Sequence, residues 1–213
     1  MNEDNEVLTT FLDGSHSVLS ALRDPVVEAT WNQRSVLEDQ SVGGLASHLA
    51  RGVWIVDDYL NLGVPRSEID FTSAGQYFAE LVSSASPEDH QAIRDRGAAV
   101  ASSGHGALLV ELSTRLDTLS HRLLTLPPET PIAVAAGKVI RLVNYLETRI
   151  VEQVIHLDDL ARSTGHEPWQ YPTAGTNLAV TIGMDIALRR SGSASVLRGI
   201  YRSGFSEAVF PVM

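Results

Sequence analysis

The sequence predicts an all-α fold, an antiparallel four-helix bundle with additional short helices. Apolar residues recur at helical spacing along most of the chain, and strand-like alternation is scarce. No Asn-Gly or Asp-Gly turn joins two alternating runs. Proline and glycine divide the helical pattern into four longer stretches with shorter pieces between them.

The first helix is expected over about residues 5–22, stopping before Pro25 because proline disfavours helix in the residue ahead of it. Residues 31–40 read as a connecting segment. Ser41 suits an N-cap for a second helix over 42–62, with Gly63 at its end. A shorter helical stretch covers 71–84. Ser86, Pro87, Glu88 and Asp89 then combine a capping hydroxyl, proline at the first helical position and acids in the first turn. The helix they start extends to about Leu126, bent or interrupted at 102–106. Pro127, Pro128 and Pro131 break the chain. A fourth long helix is expected over 137–164, ended by Gly165, then a loop holding Pro168 and Pro172. Further helices are expected over 174–191, ended by Gly192, and over 194–201. The expected organisation is one domain over 1–213, with a core over 1–165 and a C-terminal helical extension over 166–213.

Composition narrows the function classes. Apolar residues make up 44% of the chain, enough for a sizeable core. A formal net charge of −10 argues against nucleic acid and anionic lipid as partners, since both require a basic surface. There is no cysteine, so any thiol chemistry must use a thiol from outside. The start, Met1 to Glu6, is acidic and polar, unlike a secretory signal, and no apolar run approaches the roughly 20 residues a membrane span needs. A cytoplasmic protein is the expectation.

Glu152 and His156 stand out. Four residues apart on a helix, they emerge one turn apart on the same face. At ~100° per residue, Tyr145, Arg149, Glu152, His156 and Asp159 fall within a band of about 80°. Leu142, Leu146, Ile150, Val154, Leu157 and Leu160 form the apolar face beside it, while Asn144, Glu147, Asp158 and Arg162 mark the solvated side. A carboxylate bordered by apolar residues is costly unless an ion pair with Arg149 or a cation offsets it. On the second helix, His48 falls with the apolar side, next to Gly52, Ile55 and Tyr59, whereas Ser47, Arg51 and Asp58 define a wet side. Gly52 would permit close approach of a helix or ligand.

His48, Glu152 and His156 are therefore candidate metal ligands. Two imidazoles and a carboxylate suit zinc, and also nickel, iron or manganese. Three protein ligands leave a position for water or substrate. Arg149 and Asp159 are candidate catalytic groups, and Asp159 alternatively orients His156 as an outer acceptor. His16, His90, His105, His121 and His166 lack convergent partners in sequence and read as solvated or structural. Trp54, Tyr59, Tyr77 and Trp169 read as core rather than pocket.

Two stretches also carry a resemblance. Residues 41–52, Ser-Val-Gly-Gly-Leu-Ala-Ser-His-Leu-Ala-Arg-Gly, are similar to the first histidine motif of the mycothiol-dependent maleylpyruvate isomerase family. Residues 149–161 resemble its second motif, Arg-x-x-Glu-x-x-x-His-x-x-Asp-Leu, and Trp31 ahead of the first motif also agrees. The resemblance implies a four-helix bundle of the DinB-like superfamily, with zinc held by His48, Glu152 and His156. It further implies an actinobacterial cytoplasmic protein that activates mycothiol for isomerisation of, or transfer onto, a small electrophile. The isomerases carry a second, C-terminal domain, and the tail from Ser193, with Arg198 and Arg202, is too short to be one. Thiol S-transfer fits the shorter form better. The competing readings are a non-catalytic bundle that binds a metal or ligand in regulation, and a metal-dependent hydrolase that needs no thiol. A homodimer would suit an exposed apolar stripe on the first or last helix.

Overall fold

The computed structural model describes residues 3–63 and 68–212, so the acidic start Met1 to Glu6 lies partly outside the described residues. Four long helices form the bundle: α1 (Glu3–Leu22), α3 (Val42–Leu62), α6 (His105–Leu123) and α7 (Leu142–Thr164). Their ends follow local chemistry. Ser41 Oγ accepts the Gly44 N–H at 3.0 Å to cap α3, and Gly63 closes that helix at φ 72°. Gly165 ends α7 in the left-handed region.

The fold class is all-α, as expected. Side-chain contacts fix the helix directions. His48 of α3 meets Glu152 of α7 while Tyr59 meets Tyr145, so these helices run antiparallel. Trp54 lies beneath Arg115, and Asn61, farther along α3, accepts from Arg122, farther along α6, so α3 and α6 share a direction. Asp4 acts electrostatically on Glu147 and Ser15 binds Gln153, so α1 and α7 also run together. Two helices thus run each way. The parallel neighbours α3 and α6 are joined by a long crossover that carries α4 (Ala74–Tyr77) and α5 (Pro87–Ala101).

Several elements differ from the sequence expectation. Pro25 starts a helix as well as ending one: α2 (Pro25–Thr30) has proline in its first turn, and Asp24 accepts the Val26 N–H at 3.0 Å. The stretch over 71–84 shrinks to α4, which continues as a π-helical turn, Phe78–Val82. The interruption expected at 102–106 is present, since Gly104 at φ 85° separates α5 from α6. The fourth long helix begins at Leu142. Ahead of it, β1 (Pro131–Ala133) and β2 (Val139–Arg141) pair antiparallel, Ile132 opposite Ile140. Three residues per strand are too few to show alternation in sequence. As expected, Gly192, non-helical at φ 74° and ψ 159°, divides the long C-terminal element α8 (Thr173–Tyr201) into two helical segments.

Among the described residues one large apolar cluster fills the bundle, and a small second one, Ala187, Val196 and Val209, fastens the C-terminal segment to α8. Leu108, Leu112, Leu116, Leu119 and Leu123 form the fully buried stripe of α6. Ser47, read as wet, is fully buried, because α1, α2, α5, α6 and α7 all pack against α3. The crossing with α5 is close: a Cβ at Gly97 would lie 3.1 Å from the Gly44 carbonyl oxygen. That proximity lays α5 over the part of α3 that carries His48. Outside the bundle, α8 packs on α7 and α4. It leaves Val180, Leu188, Leu197, Ile200 and Tyr201 exposed. No helix among the described residues is long and apolar enough to cross a membrane.

Candidate metal centre

Antiparallel packing of α3 on α7 brings His48 level with Glu152 and His156. Glu152 Oε2 lies 3.4 Å from His48 Nε2 and 3.3 Å from His156 Nε2. The two imidazoles stand edge to face, ring centroids 4.8 Å apart. One ligand atom from each residue lies within 4.8 Å of the other two, and among the described residues this is the one such group of histidines and carboxylates. Donors at ~2.0–2.1 Å around a tetrahedral ion are ~3.3–3.4 Å apart. Both edges to Glu152 match that spacing and the third is no longer than 4.8 Å, so the donor set fits a zinc-sized cation after a small closure of the two imidazoles.

Behind the triad, His156 Nδ1 lies 3.0 Å from Asp159 Oδ2. A carboxylate there fixes the ring so that Nε2 faces Glu152, which is how outer partners orient ligating histidines. Asp159 is buried, with Arg162 3.7 Å from its other oxygen. The segment over 31–40 is fastened alongside, where Ser163 Oγ accepts the Val36 N–H at 2.9 Å.

Arg149 does not bridge directly to Glu152. Its guanidinium lies over the Tyr145 ring, 4.8 Å from the centroid, and its Nε donates to Thr148 Oγ1 at 3.0 Å. Its charge reaches Glu152 through space. Burial alone would raise the Glu152 carboxyl, but hydrogen bonds from His156 and His48 and the Arg149 charge hold it well below the usual range. For His156, burial opposes protonation, yet Asp159 and Glu152 outweigh it and push the imidazole up to about 9. Burial raises the Tyr77 and Tyr145 phenols, so both are neutral hydroxyls at physiological pH.

Two cavities meet at the triad, sharing His48, Glu152, Val82 and Ile93. The smaller, about 210 Å³, has Arg51, Arg96, Arg149, Tyr59, Tyr77 and Tyr145 in its wall. The larger, about 490 Å³, has Glu38, Gln40, His90, Arg94, Ile155 and Asp159.

Sequence reasoning named the three side chains that the structure groups, with Arg149 and Asp159 beside them, and missed much of the wall. Ile93, Arg94, Arg96 and Gly97 belong to α5, whose weak apolar pattern gives no hint of a functional face. His90, read as solvated or structural, is exposed at the larger cavity. Tyr59 and Tyr77, read as core, line the smaller one, although Tyr77 is also buried. Trp54 is core, beneath Arg115, and Trp169 reaches Asp24 at 3.4 Å. His105 bonds the Leu22 carbonyl at 2.7 Å, and His166 stacks on Trp169. His16 and His121 are exposed. Trp31 is scaffold: it fills the space left by the absent side chain of Gly43 and meets His105 edge to face.

Fold and site define a class, an all-α bundle of the DinB-like kind with one His-Glu-His group able to hold a cation. The family model described as the mycothiol maleylpyruvate isomerase N-terminal domain matches residues 12–161, and the chain belongs to that family. No curated protein and no solved structure matches it. The matched span contains α3 whole and α7 as far as Ala161, and so all three residues of the triad, and excludes α8.

Proposed function

We propose that this protein is a zinc-dependent enzyme that uses mycothiol for S-transfer to, or isomerisation of, a small electrophile. The observation that carries the reading is the triad itself. Two imidazole nitrogens stand 3.4 and 3.3 Å from one carboxylate oxygen, all three donors lie within 4.8 Å of one another, and cavities of about 210 and 490 Å³ open beside them. His48, Glu152 and His156 would hold the ion. So bound, zinc supplies Lewis acidity that keeps a thiol or water deprotonated near neutral pH.

The protein's own residues do the rest. Asp159 holds the His156 ring with Nε2 free for the ligand position. Arg149, kept cationic by Glu152 despite its burial, presents positive charge to the smaller cavity. The apolar surround of Val82, Ile93 and Ile55 limits water at the reacting atoms. With no cysteine in the chain, the nucleophilic sulfur comes from the co-substrate. An actinobacterial, cytoplasmic setting goes with that thiol.

Elemental analysis of protein purified without added metal is the first test. About one zinc per chain is expected, falling to background in Glu152→Ala. Turnover of an electrophile panel should then require both zinc and added mycothiol. Turnover without thiol would replace this reading with zinc-dependent hydrolysis, and thiol conjugation retained by metal-free His48→Ala would overturn it.

A further inference from the structure

The two cavities differ in charge in a way the triad alone does not explain. The smaller has three arginines in its wall and one carboxylate, Glu152, which it shares with the ligand set. The larger has Glu38 and Asp159 beside the shared Glu152, and one arginine, Arg94. A chain with 26 acidic and 16 basic residues has thus gathered cations on one side of a single carboxylate. Val82 and Ile93 stand in both walls and form the apolar boundary between the chambers.

We infer that the two reactants bind in separate chambers: the electrophile in the smaller, arginine-walled cavity, and the thiol through the larger, acid-walled one. The assignment rests on the proposed thiol chemistry. When a sulfur lone pair forms the S–C bond, the displaced pair moves onto a conjugated acceptor atom or leaves with the departing group. The thiol proton has by then passed to water. Negative charge therefore moves from sulfur to electrophile, and fixed cations are most useful where it arrives. Arg149, Arg96 and Arg51 surround that place. Arg51 is only loosely held by Asp58, at 3.9 Å.

Gly52 supplies the floor. A Cβ built there meets nothing within 4 Å, so the absent side chain is room for a ligand, not for a packed helix. Gly52 and Arg96 are then specificity-determining residues for the electrophile. Ile155, 45% exposed at the larger cavity, holds the corresponding place for the thiol.

The test is calorimetric binding to zinc-loaded protein with two unreactive probes, S-methyl mycothiol for the thiol and succinate for an anionic electrophile. Each probe should bind in the presence of saturating amounts of the other. Gly52→Leu, which fills the smaller chamber and favours helix, should weaken succinate about tenfold or more and leave the thioether unchanged. Arg96→Gln should do the same to a smaller degree, and Ile155→Trp should weaken the thioether alone. Displacement of one probe by the other, or loss of the thioether in Gly52→Leu, overturns the two-chamber assignment and leaves the proposed activity standing. A wild-type protein that holds zinc but binds no thioether overturns the proposed activity, and the assignment with it.

Discussion

His156 Nδ1 and Asp159 Oδ2 lie 3.0 Å apart, one turn along α7, with the other ring nitrogen turned toward Glu152. One helix thus carries two of the three proposed ligands and the carboxylate placed to orient one of them. The consequence is measurable without knowing the substrate. Asp159→Ala should lower zinc affinity by about 10–100-fold, the usual effect of losing such a partner, and Asp159→Asn by less. Competition against a chromophoric chelator, with circular dichroism as a check on folding, reads both. Unchanged affinity in Asp159→Ala would remove the orienting role.

Metal binding should release a proton. The His156 imidazole is pushed up to about 9 in the metal-free site, so it is protonated at pH 7 and must lose that proton to ligate. Apparent zinc affinity should rise with pH, by at most about tenfold per unit, and level off above about pH 9. Titration calorimetry at pH 7 in buffers of different ionisation enthalpy should give about one proton released per ion.

The same shift has the opposite sign for the stability of metal-free protein. A folded-state value above the ordinary 6.5 means protonated His156 favours the fold, fully below about pH 6.5 and progressively less as pH rises to about 9. Glu152, held well below its ordinary 4.5, contributes above that value and loses its contribution as acid protonates it. With chelator present, the melting temperature should therefore fall between pH 6.5 and 9, and added zinc should reverse the trend.

Arg149→Met should destabilise metal-free protein by about 1–2 kcal/mol, through loss of its stacking on Tyr145 and of its through-space attraction to Glu152, which keeps its hydrogen bonds from His156 and His48. Arg149→Lys should recover part of this, because an ammonium keeps the charge but not the planar stacking on Tyr145. Zinc should narrow the difference by taking over the compensation of Glu152. Urea unfolding with and without metal separates these terms.

Away from the site, Tyr171 donates to Gln153 Oε1 at 2.7 Å, and the Gln153 amide donates to Ser15 Oγ at 2.9 Å, tying α1, α7 and the loop after α7 together. Gln153 is buried, so Tyr171→Phe strips its carbonyl of that partner, at about 1–3 kcal/mol. Urea unfolding should show that loss while zinc affinity stays unchanged.

How much was legible in sequence depends on range. The spacing of Glu152, His156 and Asp159 is a property of one helix, and their shared face follows from its period. His48 required a second step: its place on the apolar side of its own helix said that it points inward. The hairpin ahead of α7 left no signal, since three-residue strands carry no periodicity, and α2 was overlooked although Asp24-Pro25 is a start signal. Ser47 was misplaced because a wheel assigns faces without knowing how many neighbours a helix has, and α3 is surrounded.

By itself, the sequence determined the helical class, the candidate ligand types, the absence of an internal thiol and the pairing of a carboxylate with an imidazole one turn on. These are set within a few residues, by side-chain chemistry and helical repeat. Only the tertiary structure decided that His48 stands level with that pair, and that Ile93 and Arg96 of α5 divide and charge the space beside it. Those outcomes depend on where helices cross, and crossings such as Gly97 on Gly44 are set by packing between residues far apart in the chain.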